Sequence, residues 1–61
     1  MANLTEKELS ALSDLLSSEE LEVKKFHMLS DAATDPAIKS KLSSIADMHQ
    51  RHFNALCQHL N

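Results

Sequence analysis

Two histidines three positions apart are the residues of this sequence best suited to chemistry. His49 and His52 lie in the segment DMHQRHF, and Glu19 lies in the earlier segment SSEELE. Residues three apart on a helix project from one face. Neutral imidazole and carboxylate are good ligands for zinc, iron, manganese or copper. Glu19, His49 and His52 are therefore candidate metal ligands, provided that the fold brings the carboxylate to the two rings.

Two helix-start signals indicate the elements that would position these residues. Thr5 followed by Glu8 is a capping-box pattern, and Asp35 followed by Pro36 joins an N-cap to the residue favoured at the first helical position. We predict one all-α domain, residues 1–61, with a first helix over about residues 6–33, a turn at 34–35 and a second helix over about residues 36–60. Because the turn is so short, the helices should fold back as an antiparallel hairpin.

The apolar repeat of each helix predicts which residues face one another across the hairpin. Counting outward from the turn pairs Ser30 with Ile38, Phe26 with Leu42, Val23 with Ile45, Glu19 with His49, Leu16 with His52, Leu12 with Leu56, and Leu9 with His59. Glu19, His49 and His52 therefore form a polar layer between apolar layers. Burying such groups without partners costs about 1–3 kcal/mol each, so the layer needs hydrogen bonds, water or a metal.

Two interpretations of this polar layer stay open at the level of sequence. Helical bundles commonly build metal sites from inward-facing Glu and His side chains, which favours a transition metal such as iron, zinc or manganese as the cofactor. Two histidines and one carboxylate are enough ligands for a single ion. The alternative is a buried hydrogen-bonded network that sets the register of the helices.

The small size of the chain predicts that a metal or a second chain stabilises it. A chain of 61 residues has a core that seldom contributes more than about 3–5 kcal/mol. Its single cysteine, Cys57, excludes an internal disulfide. Apolar residues also flank both predicted seams, Leu15 and Leu29 on the first helix and Met48 and Phe53 on the second. Faces this wide predict a homodimer that closes into a four-helix bundle.

Charge and composition disfavour several classes of function. The net charge is −3, so nucleic acid and anionic membrane surfaces are poor partners. No apolar run approaches the roughly 20 residues of a membrane span, and an intracellular location is expected. The sequence has no glycine for a phosphate-binding loop and no pattern typical of an activated serine. A non-enzymatic structural role is favoured, with a metal-dependent redox protein and a helical adaptor as alternatives.

Three stretches of the sequence resemble the spore coat protein F-like group, a ferritin-like helical family of endospore-forming bacteria. They are LTEKELSALSDLLSSEELEVKKF, TDPAIKSKLSSIA and MHQRHFNALCQHL, which together cover nearly the whole chain. The resemblance implies a helical bundle, an association with sporulation or with other coat proteins, and a metal site at Glu19, His49 and His52. The chain differs from ferritin-like di-iron proteins in its single hairpin, in its few carboxylates and in His49, which replaces the Glu of Glu-x-x-His. These differences disfavour ferroxidase and iron-storage activity.

Overall fold

The capping box predicted at the N-terminus starts the first helix. A computed structural model of the protein describes residues 3–60, and in it α1 runs over Glu6–Ala32. The Thr5 backbone N–H donates to Glu8 Oε1 over 3.0 Å, and the Glu8 N–H donates to Thr5 Oγ1 over 3.1 Å. Each bond satisfies a backbone donor at the start of the helix that has no partner within the helix itself.

A turn without glycine reverses the chain after α1. Ala33 and Asp35 adopt extended backbone angles, and Ala33 donates its N–H to the carbonyls of Leu29 and Ser30. Asp35 then caps α2, Pro36–Cys57, by accepting the Ile38 N–H over 2.9 Å. A 3-10 turn, Gln58–Leu60, follows α2. The predicted all-helical hairpin is confirmed, while Met1, Ala2 and Asn61 of the predicted domain lie outside the described residues.

Ser30 and Lys39 fasten the two helices together beside the turn. Ser30 Oγ donates to the carbonyl of Lys39 over 3.0 Å, and Lys39 Nζ donates back to the carbonyl of Ser30 over 2.7 Å. The carbonyls at the end of a helix lack partners within the helix and carry partial negative charge. The Lys39 ammonium therefore caps the C-terminus of α1 from the neighbouring helix. This contact also explains why Ser30, a polar residue, is buried at a seam position.

The hairpin is a single layer with very little interior. Its principal extents are 46 × 16 × 10 Å. Within residues 3–60 the buried apolar residues are Leu12 and Ala46. Eight large apolar side chains are exposed: Leu9, Leu15, Leu21, Met28, Leu29, Ile38, Met48 and Leu60. Leu9 and Ile38, which the seam pattern places inside, are 49% and 56% exposed, because two helices alone cannot cover both sides of their own seam. Over the described residues, neither helix has the length and apolar character needed to cross a membrane.

Replacing Lys39 by methionine should lower the free energy of unfolding by about 1 kcal/mol, the usual net value of a lost hydrogen bond. The methionine keeps the length of the side chain and removes the ammonium that caps α1. Urea unfolding at matched protein concentration measures the change. The control is Lys7→Met, at an exposed position near the other end of the hairpin. Equal losses in the two variants would contradict the cap.

The capping box should give a pH-dependent contribution to stability. The Thr5 backbone N–H, and then the Thr5 side chain, hold the pKa of Glu8 below its ordinary value of 4.5. A carboxylate with a lowered pKa in the folded state stabilises the protein fully above the unfolded pKa, and this contribution is lost as the pH falls through the folded pKa. The difference in unfolding free energy between the wild type and Glu8→Gln should therefore be largest above about pH 4.5 and shrink on acidification. A difference that grows in acid would contradict the assignment.

Candidate metal centre

One carboxylate joins the two helices at the middle of the hairpin. Glu19 is the central residue of α1, with thirteen helical residues on either side. Its Oε1 lies 2.6 Å from His49 Nδ1, and its Oε2 lies 2.9 Å from His52 Nδ1. Both carboxylate oxygens thus contact imidazole nitrogens of α2. The structure brings together the three residues that the seam pattern predicts as one polar layer.

The protonation states follow from the geometry of these contacts. An ionised carboxylate only accepts hydrogen bonds, so each Nδ1 must carry a proton and donate it to Glu19. The hydrogen bond from His49 holds the pKa of Glu19 below its ordinary value of 4.5, the charges of His49 and His52 act in the same direction, and burial opposes them. In neutral imidazole one nitrogen is a donor and the other an acceptor. A neutral ring that donates through Nδ1 therefore keeps its lone pair on Nε2.

Phe26 forms an aromatic wall beside the polar layer. Its ring stacks on that of His49, with centroids 5.6 Å apart and an interplanar angle of 23°. The His49 and His52 rings meet edge to face, with centroids 5.8 Å apart and planes at 90°. His49 is thus held on one side by Phe26 and at Nδ1 by Glu19. Its orientation is more constrained than that of His52.

The prediction of a buried layer is wrong for His52. The side chains of Glu19 and His49 are 17% and 19% exposed, whereas that of His52 is 53% exposed. His52 lies at the edge of the seam, and a single layer of two helices leaves that edge open to solvent. The site is therefore half open to solvent, with Glu19 and His49 inside the seam and His52 at its edge.

The donor atoms of the three residues are close enough to bind one metal ion. One ligand atom from each of Glu19, His49 and His52 lies within 4.8 Å of the others. Two ligands of a tetrahedral zinc ion lie about 3.3 Å apart, given metal–ligand distances near 2.0–2.1 Å. The 2.6 and 2.9 Å contacts would have to open slightly, and each neutral ring would have to carry its proton on Nε2 instead of Nδ1, for a metal to bind between them.

Neighbouring titratable residues stay apart from the site. Glu20, adjacent to Glu19, pairs with Lys24 at the surface, with Nζ and Oε1 3.6 Å apart. Glu22 pairs with Lys25 at 3.8 Å. The metal-capable group found among residues 3–60 therefore contains one carboxylate, that of Glu19. His27 and His59 are exposed and do not belong to it.

Comparison of the chain with protein family models, with curated proteins and with solved structures gives no match. The resemblance to the spore coat protein F-like group therefore stays a prediction.

The seam pattern does not show three features of this site. It pairs Phe26 with Leu42 and His52 with Leu16, whereas Phe26 also stacks on His49 and His52 reaches the carboxylate of Glu19. These contacts depend on side-chain length and rotamer, which a pairing of layers does not specify. It also does not show that His52 is half exposed. The i, i+3 spacing of the histidines is the one signal that indicates both rings can reach one carboxylate.

Glu19→Gln should change the tautomers of both imidazoles. In the wild type, NMR correlation of ring protons with ring nitrogens should show His49 and His52 mainly as Nδ1–H tautomers. The glutamine amide can also donate, so the Nε2–H tautomers should become the major forms in the variant. His27 and His59 are reference rings in the same spectra and should not change. Wild-type rings that are mainly Nε2–H would contradict the hydrogen-bonded layer.

Proposed function

We propose that this protein is a small non-enzymatic structural protein that binds one transition-metal ion per chain through Glu19, His49 and His52. In this proposal it works as a homodimeric four-helix bundle. The observation that carries it is the carboxylate of Glu19, which contacts one imidazole nitrogen of each histidine from the opposite helix. The resemblance to spore coat proteins supports an assembly role among other coat proteins, and the metal would stabilise the fold.

The donor set is that of a site for a borderline transition metal. Two imidazole nitrogens and one carboxylate oxygen suit zinc, iron or manganese. Phe26, stacked on His49, limits the motion of one ligand. The metal would occupy the position of the two Nδ1 protons, and each neutral ring would carry its proton on Nε2. This chain contributes the spacing of its ligands and the partly enclosed position of Glu19 between the helices.

The ligand count favours a structural over a redox role. Ferritin-like di-metal sites use a Glu from each of two helices and a Glu-x-x-His motif from each of the other two. Here the group contains a single carboxylate per chain, and the motif is His-x-x-His. A second copy would bring the total to only two carboxylates. Such a set matches a single-ion site better than a pair of bridged ions.

Metal binding would matter for a core this small. With two buried apolar residues in residues 3–60, the hairpin has little interior to oppose the entropy of unfolding. A ligand that binds the folded state alone adds about 2.7 kcal/mol when present at 100 times its Kd. That amount is comparable to the whole contribution of a core of this size. The metal would thus be a main stabilising element of the fold.

The test is metal content and metal-dependent stability of protein purified without a histidine tag. After incubation with zinc, iron or manganese, the wild type should hold close to one ion per chain by elemental analysis. Its unfolding midpoint should fall on treatment with chelator and on acidification, since imidazole must be deprotonated to bind a metal. The His49→Ala, His52→Ala double variant should hold no metal above background. His27→Ala removes an exposed histidine elsewhere and should bind like the wild type.

A folded protein that takes up none of the three metals would contradict the proposal. The polar layer would then be a hydrogen-bonded network that sets the register of the helices. Equal metal loss in His27→Ala and in the double variant would also contradict it, because binding would not depend on the layer. An optical or spin-resonance signal that changes with redox state would instead favour the metal-dependent redox alternative.

A further inference from the structure

The two open sides of the hairpin differ in character. One side carries a shallow groove lined by Glu20, Val23, Lys24, Gln50 and Phe53. Three of these five residues are polar, and Lys24 pairs with Glu20 at the surface. This side is suited to solvent.

The opposite side carries a mostly apolar surface around His52, interrupted on α1 by Glu22, which pairs with Lys25. Residues seven apart on a helix share a face, so Leu15, Glu22 and Leu29 form a stripe on α1, and Ile38, Ile45 and His52 form one on α2, with Met48 beside His52. We call these seven residues the His52 face. Leu15, Leu29 and Ile38 are 51%, 52% and 56% exposed, and Met48 is 38% exposed. Four of the eight exposed large apolar side chains thus lie on this one face.

We propose that the His52 face binds the same face of a second copy, so that the polar layers of the two copies meet at the dimer interface. The first argument is architectural. Stable domains consist of two or more packed layers around a core, and this hairpin is one layer 10 Å thick. The His52 face is where a second layer would bury the most apolar surface.

The second argument is area. A face 46 Å long and 16 Å wide offers about 740 Å². Stable protein–protein interfaces bury about 800 Å² on each partner. One hairpin laid on another therefore reaches the size of a standard interface only if nearly the whole face is used. A short peptide or a small ligand would leave most of the apolar stripe exposed.

The third argument identifies the partner as a second copy. The polar layer lies at the centre of the hairpin, because Glu19 is the middle residue of α1. A twofold axis through this centre places polar layer against polar layer and apolar half against apolar half, whichever way the partner runs. Symmetric homodimers are the commonest assemblies of soluble chains. An unrelated partner would need its own polar group opposite the half-exposed ring of His52.

The inference deepens the proposed function and rests on it where metal is concerned. Pairing through this face covers His52, one of the proposed ligands, and excludes water from the layer beneath. Ligand binding and association that favour the same state strengthen each other reciprocally. Zinc should therefore tighten the dimer, and dimerisation should tighten zinc binding at each of the two sites by the square root of that factor.

The test compares two leucines of α1 that are equally exposed on opposite sides. Leu15 is 51% exposed on the His52 face, and Leu21 is 53% exposed on the surface turned away from α2. Leu15→Glu should weaken dimerisation by about 100-fold, since each dimer would bury two unpaired charges at roughly 1.4 kcal/mol or more apiece. Leu21→Glu should leave the dimer constant unchanged. Sedimentation equilibrium of the full chain measures both, with zinc and with chelator.

Isotope-filtered NMR on the wild type makes the test independent of whether the variants fold. In a mixture of labelled and unlabelled chains, methyl groups of Ile45 and Met48 should show contacts between copies. A wild type that stays monomeric at several hundred micromolar with zinc bound would overturn this inference and leave the proposed metal site intact. So would a dimer that Leu21→Glu disrupts and Leu15→Glu does not. A dimer through the His52 face that binds no metal would support this surface and overturn the proposed function instead.

Discussion

The contact between one carboxylate and two imidazoles is the constraint on which the rest of this structure depends. It lies at the middle of α1 and past the midpoint of α2, and in this part of the described hairpin no other polar contact joins the helices across the seam. Because the side chain of Glu19 is 17% exposed, its charge is partly removed from water and requires the two donors that His49 and His52 supply. The helices can therefore pack only in a register that brings these donors to it. The apolar residues on either side define the seam, and the polar layer defines the alignment.

The two ends of the hairpin are held by different and simpler means. At the turn, Asp35 and Pro36 start α2 without any glycine, and Lys39 caps the last carbonyls of α1. At the far end, Thr5 and Glu8 satisfy each other's backbone donors. These are local interactions that stabilise helix ends, and none of them adds apolar burial. The elements of the fold are well specified, but its interior is small, so its own apolar core contributes little to its stability.

Most of the fold can be predicted from the sequence because its signals are local. The capping box, the Asp-Pro helix start and the apolar repeats each act within a few residues, and together they define two helices and the pairing of Glu19 with His49. The exposure of His52, the stacking of Phe26 on His49 and the bond between Ser30 and Lys39 could not be predicted in the same way. They depend on rotamers and on how far a two-helix layer can cover its own seam. Ile38 shows the same limit, since a seam position near the turn is still 56% exposed.

The central position of Glu19 has a further consequence for errors of folding. Contacts in a hairpin close outward from the turn, so the helices can begin to pair with one of them displaced by a turn along its axis. Such a slip moves a side chain by about 5.4 Å. In one direction it places Glu19 opposite Ile45, away from both rings, and in the other it places Glu19 opposite His52 and separates it from His49. The apolar layers would tolerate the same slip far better, because each leucine or isoleucine would only exchange one apolar neighbour for another. The single acidic residue in the middle of the seam therefore disfavours misaligned packing of the two helices.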